Sequence, residues 1–285
     1  MTDITEEEIL RRLEEEGKEK GLHPRLLEFY HRLFNIEARA RQRIGRARLK
    51  IKKEAIRERA KRNLPLVGSN ELALDWPILR QISADIIAAF SDYSDVFGEL
   101  PLSLREARPG SLLTSKVVRA WFKGAKPPSN IAAGDADDYL FLEAIIQATL
   151  RPFLICQAQE LISLVDQENW RRKSCPVCGG QADFAFIDTE RGSRWLVCSR
   201  CDTEWLFQRL QCPYCDNQNQ DELSYFTDEE GAYRLYVCQH CHNYIKALSS
   251  RSSDSKVVWP LERVLTLGID RQAQDMGYTH GHQET

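Results

Sequence analysis

The sequence predicts an α+β protein: a mainly helical N-terminal domain over residues 1–170, tandem rubredoxin-like or zinc-ribbon metal units over 171–210 and 211–249, and a C-terminal helix and tail over 250–285. Three observations carry that reading. Apolar residues recur at helical spacing in the first part of the chain. Eight of the nine cysteines fall in four Cys-x-x-Cys pairs beyond Arg171. The stretch that holds them is an internal repeat.

Composition narrows the function classes. A chain of 285 residues with 42 % hydrophobic content can build one large or two modest cores. Its formal charge of −3 argues against an overall binder of nucleic acid or anionic membrane. The start, MTDITEEEIL, has neither a basic nor an apolar leader region, so no secretory signal is expected. The most apolar segment, Tyr139 to Val165, carries Glu143, Arg151 and Pro152. Those residues suit a buried, kinked helix better than a membrane span. The expectation is a cytoplasmic protein with no membrane partner. In that reducing compartment nine cysteines do not make a disulfide framework.

The helical part reads in order. Thr5 is placed to cap a helix through EEEILRRLEEEG, with acidic residues at its positive end and Gly21 as the stop. A second helix begins at His23 or Pro24 and runs into ARARQRIGRARLKIKKEAIRERAKR. That basic run, Arg39 to Arg62, holds twelve Lys/Arg against Glu54 and Glu58. It reads first as a solvated face and second as a docking surface for an acidic partner. LPLVGSN is a break. DWPILRQISADIIAAFSDY follows as a helix with Ile78, Leu79, Ile82, Ile86 and Ile87 on one side. PGSLLTSKVVRAWFKG and Tyr139–Val165 add two more, separated by the loop AKPPSNIAAGDADD.

From Arg171 the texture changes to cysteine knuckles and short β-like runs: 184–187, 194–197, 223–226 and 234–237. The pairs are Cys175/Cys178, Cys198/Cys201, Cys212/Cys215 and Cys238/Cys241, with gaps of 19, 10 and 22 residues. A spacing of two lets a tight turn aim both thiolates at one ion. Pro176 and Pro213 pre-set such turns, and Gly179 supplies a positive φ. Two pairs complete a tetrahedral four-sulfur site for zinc or iron. The repeat suggests the partition. Both CPVCGGQADFAFIDTERGSRWLVCSRCDTEW and CPYCDNQNQDELSYFTDEEGAYRLYVCQHCHNYI run knuckle, strand, acidic turn with Gly, strand, knuckle. Cys175, Cys178, Cys198 and Cys201 then form one site, and Cys212, Cys215, Cys238 and Cys241 another. A cross-braced arrangement of first pair with third stays open. Trp205, Leu206 and Phe207, between the two units, are placed to pack them together.

A unit of this size cannot bury enough surface to fold alone, and a four-sulfur metal contributes on the order of 10–16 kcal/mol of apparent binding free energy. Four ligands also close each site, which points to a structural role, with redox work at one metal still open. Residues 171–249 hold nine Lys/Arg against eleven Asp/Glu, so the ribbons repel phosphate and fit a protein partner better than nucleic acid. Cys156 reads as a small buried side chain. His240 and His242 flank Cys241 but are not needed as ligands. From Trp259 the pattern PLERVLTLGIDRQAQDMG reads as one helix, and THGHQET as a disordered tail where His280 and His282 bind metal only adventitiously.

At CPVCG, RWLVCSRCDTEWLFQRLQCPYC and YVCQHCHNYIKAL, in that order, and at the DMGY ending, the sequence resembles the formate dehydrogenase accessory protein FdhE family. The resemblance covers the C-terminal third closely and the helical part in kind. It implies a cytoplasmic, non-catalytic maturation factor that binds the molybdenum- or tungsten-containing catalytic subunit of formate dehydrogenase. It also implies a rubredoxin-like metal-binding region, for which iron is proposed, with all eight paired cysteines as ligands. One departure is Asp216, which stands where the first unit has Gly179 and bears on the turn geometry and redox character of that site. Two other readings remain: a rubredoxin-like electron carrier, and a zinc-ribbon nucleic-acid regulator. A homodimer is compatible with all three.

Overall fold

Helix α1 (Glu6–Glu19) opens on the Thr5 cap, whose Oγ1 accepts from Glu8 N at 3.2 Å. It closes at Gly21, where φ is +70°. The computed structural model describes residues 5–47, 52–107, 112–125, 136–251 and 257–281. They fall into two units, Met1–Glu58 with Val67–Glu160, and Arg59–Leu66 with Leu161–Thr285.

The first unit is helical. After α1 come α2 (Pro24–Ala47), α3 (Lys53–Lys61), α4 (Trp76–Asp92), the short α5 (Ser94–Phe97) and α6 (Leu102–Arg105), α7 (Ser115–Phe122) and α8 (Ala136–Leu161). The caps are written in the sequence: Asp75 Oδ1 accepts from Ile78 N at 3.0 Å, and Thr114 Oγ1 from Val117 N at 3.4 Å. Helix α2 packs on α1 and α4. Phe29 anchors that contact among Phe90, Tyr93 and Phe97, with ring centroids 4.4–5.7 Å apart. The isoleucine side of α4 is buried at Ile78, Leu79, Ile82 and Ile86.

Helix α8 contains Pro152, which removes one internal hydrogen bond. The apolar segment Tyr139–Leu164 is long and apolar enough to cross a membrane, and 56 % of its most apolar window is buried inside the fold. Its charge is accommodated there: Arg151 pairs with Glu37 at 3.4 Å, both buried. Gln157 exchanges hydrogen bonds with Ala73 N and O. Of the basic run, residues 48–51 lie outside the described residues. Arg39, Arg43, Lys52, Lys53 and Arg57 are exposed, while Ile44 and Ile56 turn inward.

The second unit is built on a six-stranded sheet of β1 (Ala182–Asp188), β2 (Arg194–Cys198), β3 (Glu204–Phe207), β4 (Leu223–Thr227), β5 (Tyr233–Cys238) and β6 (Tyr244–Arg251), in the order β3-β2-β1-β6-β5-β4. Each repeat supplies an antiparallel meander. The two join through one parallel pair, β1 with β6, in the register Phe184↔Lys246 and Ala185↔Ala247. Beyond β6 lie α9 (Trp259–Leu265) and α10 (Leu267–Asp275). Trp259 packs with Phe184, Phe186 and Val197, and Ala273 with Leu235, Val237 and Tyr244, so these helices cover the two halves of the sheet.

The fold class stands, and four local expectations change. The junction of the repeats is β1 against β6, because those strands carry the buried Phe184, Ala185, Ile245 and Ala247. Trp205, Leu206 and Phe207 instead lie in β3, the outer edge, with β2 and β1 between it and β6. The C-terminal helix is two helices. Thr266 Oγ1 bonds back to Glu262 O at 2.6 Å and interrupts the turn. The tail packs on the sheet instead: Thr279 bridges Asn243, with Tyr244 N donating to Thr279 O at 3.0 Å. His282 lies outside the described residues. Helices α5 and α6, four residues each, carry too little periodicity to be read from sequence.

Candidate metal centres

Each cysteine pair sits in the same turn. The first cysteine's N–H donates to the carbonyl five residues on: Cys175 to Gly180, Cys198 to Thr203, Cys212 to Asn217 and Cys238 to Asn243, all at 2.8–3.0 Å. The residue after the second cysteine takes a left-handed conformation, with φ of +73° at Gly179, +57° at Asp202, +62° at Asp216 and +52° at His242. Its N–H bonds the first cysteine's carbonyl in three turns, at Gly179, Asp202 and Asp216. Asp and His tolerate this conformation better than most side chains. The missing glycine at 216 therefore leaves the turn unchanged. That side chain also has outside support, from Lys173 at 2.9 Å and Gln211 at 3.0 Å.

These turns bring the sulfurs together as two groups, Cys175, Cys178, Cys198 and Cys201, and Cys212, Cys215, Cys238 and Cys241. In each group all ligand atoms lie within 4.8 Å of one another. The first pair thus meets the second, and the third meets the fourth. Sulfur separations are 3.6 Å for Cys175–Cys201, 3.4 Å for Cys178–Cys198, and 3.7 Å for both Cys212–Cys241 and Cys215–Cys238. A tetrahedral ion about 2.3 Å from each sulfur would set them about 3.8 Å apart. Both groups can hold a metal ion, and four thiolates suit zinc and iron alike.

Backbone N–H groups face the sulfurs: Cys178 N to Cys175, Gly180 N to Cys178, Arg200 N to Cys198 and Tyr214 N to Cys212, at 3.4–3.5 Å. A side chain on Gly180 would stand 3.1 Å from Cys198 Sγ, so the close approach needs glycine. Burial pushes the Cys175 and Cys201 thiols well above the usual thiol range, and Cys215 up to about 11. A cation among them reverses that balance by stabilising thiolate.

The centres differ in exposure. All four cysteines of the first are buried, whereas Cys215 and Cys241 of the second are half-buried. The first is also locked from outside. Arg263 on α9 binds Asp183 with two donors, reaches Asp202 at 2.7 Å, and donates to Cys198 O at 3.0 Å. Leu66 N donates to Pro176 O within the same knuckle. Arg263, Asp183 and Asp202 went unread in the sequence. The series Gly, Asp, Asp, His after the second cysteines was the available signal. His240 and His242 lie outside both groups; His240 is 3.9 Å from Glu222, and His242 is 6.2 Å, centroid to centroid, from Tyr278. Cys156 is half-buried in α8, apart from both centres.

The model of the FdhE central domain matches residues 174–209, the first knuckle through β3. The FdhE homolog of Aquifex aeolicus is 37 % identical over 149 residues, which is 48 % of this chain and 52 % of that protein. Protein FdhE of Escherichia coli K12 is 30 % identical over 110 residues, 38 % of this chain and 35 % of that one. The chain thus matches about half, or less, of the length of these curated relatives. The crystal structure of the FdhE protein from Pseudomonas aeruginosa shares the fold, with a TM-score of 0.63 at 20 % identity over 98 % of this chain and 95 % of the other. The resemblance to FdhE read at the cysteine motifs is borne out.

Proposed function

We propose that this chain is a cytoplasmic, non-catalytic accessory factor in the maturation of formate dehydrogenases. Residues 1–170 and the ribbons would together hold the immature catalytic subunit while its cofactor is inserted or reduced. Cys175, Cys178, Cys198 and Cys201 would bind one metal ion, and Cys212, Cys215, Cys238 and Cys241 a second, each iron or zinc. The observation that carries this reading is the pair of closed four-sulfur groups, the first of which lies within the stretch that matches the FdhE central domain. Four protein ligands leave no coordination position for a substrate, as in structural metal sites. The test is a pull-down of the full chain with the formate dehydrogenase catalytic subunit, mature and cofactor-free, with metal content measured on the same sample. Retention of the cofactor-free subunit supports the reading. Absence of a complex with either form sinks it.

The half-buried Cys215 and Cys241 favour one second reading, electron exchange at the second centre in the manner of rubredoxin. An iron-loaded protein with a reversible visible spectrum supports it, and a colourless zinc protein removes it.

A further inference from the structure

The second unit carries a cavity beside the second group of cysteines. Its volume is about 260 Å³, just under the usual range of ligand sites, about 300–1,000 Å³. It takes a small molecule or the end of a larger one. Arg194, Arg209 and Arg234 line it together with Tyr214, Tyr225 and Tyr236. No carboxylate stands in its wall among the described residues. In a chain of net charge −3, three guanidinium groups without an acid among them are a selective feature.

Arg194 is the centre of the argument. It lies on β2 and is only 3 % exposed. One terminal nitrogen donates to the carbonyls of Gln211 and Arg209, at 3.1 and 3.4 Å. Its Nε and its other terminal nitrogen have no acceptor among the described residues. Arg234, on β5, repeats the pattern: Nη1 meets the Tyr236 hydroxyl at 3.3 Å, and the buried Nε has no acceptor. A buried guanidinium with open donors costs free energy, and an oxyanion offsets it best, because two acceptor oxygens match the planar fork. Arg194 also stacks 5.1 Å from the Tyr236 ring and Arg234 5.0 Å from the Tyr225 ring, with the two tyrosines 5.5 Å apart. Beside the charge, then, stands a wall of flat aromatic surface.

We propose that this cavity is a binding site for a small oxyanion, phosphate or carboxylate, borne on a flat and largely apolar group. Arg194 and Arg234 hold the oxyanion, and Tyr225 and Tyr236 receive the flat group. Cys212 and Cys238 also line the cavity, so an occupant lies against the second metal centre. The site is independent of the maturation reading.

The competing account makes Arg194 a counter-charge to the thiolates of that centre. Coulomb attraction acts through space but leaves the Nε and terminal donors unfilled. The experiment separates the two. Phenyl phosphate, benzoate and neutral benzyl alcohol are titrated by calorimetry into the metal-loaded full chain, and metal content is measured alongside. Saturable binding of phenyl phosphate or benzoate is expected, with none of benzyl alcohol. The stronger of the two anions names the oxyanion. Arg234→Gln, at a half-buried position, should weaken binding at least tenfold with both metals retained, and Arg194→Gln more. The proposal is overturned if neither anion binds, if benzyl alcohol binds as well as they do, or if Arg234→Gln binds like the parent. Loss of the second metal in Arg194→Gln, with no anion binding by the parent, would assign Arg194 to the metal centre.

Discussion

Arg263 donates from two nitrogens to the two carboxylate oxygens of Asp183, at 2.5 and 2.8 Å, and joins α9 to β1 eighty positions apart in sequence. The same guanidinium holds Asp202, whose left-handed backbone closes the second knuckle of the first centre. Arg263→Ala should therefore destabilise the second unit by about 3 kcal/mol, since it removes a charged partner from two mostly buried carboxylates. Denaturant unfolding of the metal-loaded chain checks this. A loss under about 1 kcal/mol would show the contact to be a surface pair in energetic terms.

The exposure difference between the centres predicts two-step metal release. With a chelating dye in excess, the ion at Cys212, Cys215, Cys238 and Cys241 should leave first, because Cys215 and Cys241 are half-buried. The fully buried first centre should release only on unfolding. Cys215→Ser removes the fast phase and Cys178→Ser the slow one. A single phase in the parent would contradict the assignment.

At position 216 the turn needs a left-handed residue. Asp216→Gly should keep the second metal, and Asp216→Val should weaken it, because a β-branched side chain is strained there by about 1–3 kcal/mol. Competition with a chelator of known affinity reads the difference. Equal retention in both variants would mean that the turn relaxes.

Trp205 is fully buried on the edge strand β3, and its indole donates to Arg172 O at 2.8 Å. Trp205→Ala should cost about 3–5 kcal/mol. It should speed metal release from the first centre and leave the β1–β6 junction and the second centre intact. Amide hydrogen exchange, read strand by strand, distinguishes this from a loosened junction.

Tyr214 and Tyr244 are pushed well above the usual phenol range by burial, with Asp183 and Asp270 respectively adding to the effect. Both are held protonated in the folded chain and ionise near pH 10 when unfolded. Their contribution to stability is then complete below about pH 10 and lost as pH rises further. Of the nine tyrosines, two should ionise in ultraviolet titration only together with unfolding. Nine smooth, independent ionisations would count against the burial of these two.

Features governed by short-range rules were legible in the sequence. The Thr5 cap, the isoleucine face of α4 and all four knuckles depend on residues within about five positions of one another, where spacing and side-chain chemistry act directly. The repeat extended this to the pairing of the knuckles. The split of the last helix at Thr266 was missed, because a threonine back-bond does not break apolar periodicity. Asp216 keeps the turn geometry of the first unit, because the turn needs a left-handed conformation rather than a glycine.

The sequence by itself determined the class of the fold and the kind of ion the eight paired cysteines can hold, and its repeat favoured two groups of four, which the structure then selected over the cross-braced pairing. Only the tertiary structure decided how the two repeats join, what covers them, and that Arg194 and Arg234 open into one cavity. The parallel pairing of β1 with β6 brings together residues about sixty positions apart, such as Phe184 and Lys246. No periodicity encodes such a contact. It is chosen by which apolar strand faces can be buried together once the metal turns have set the direction of each chain.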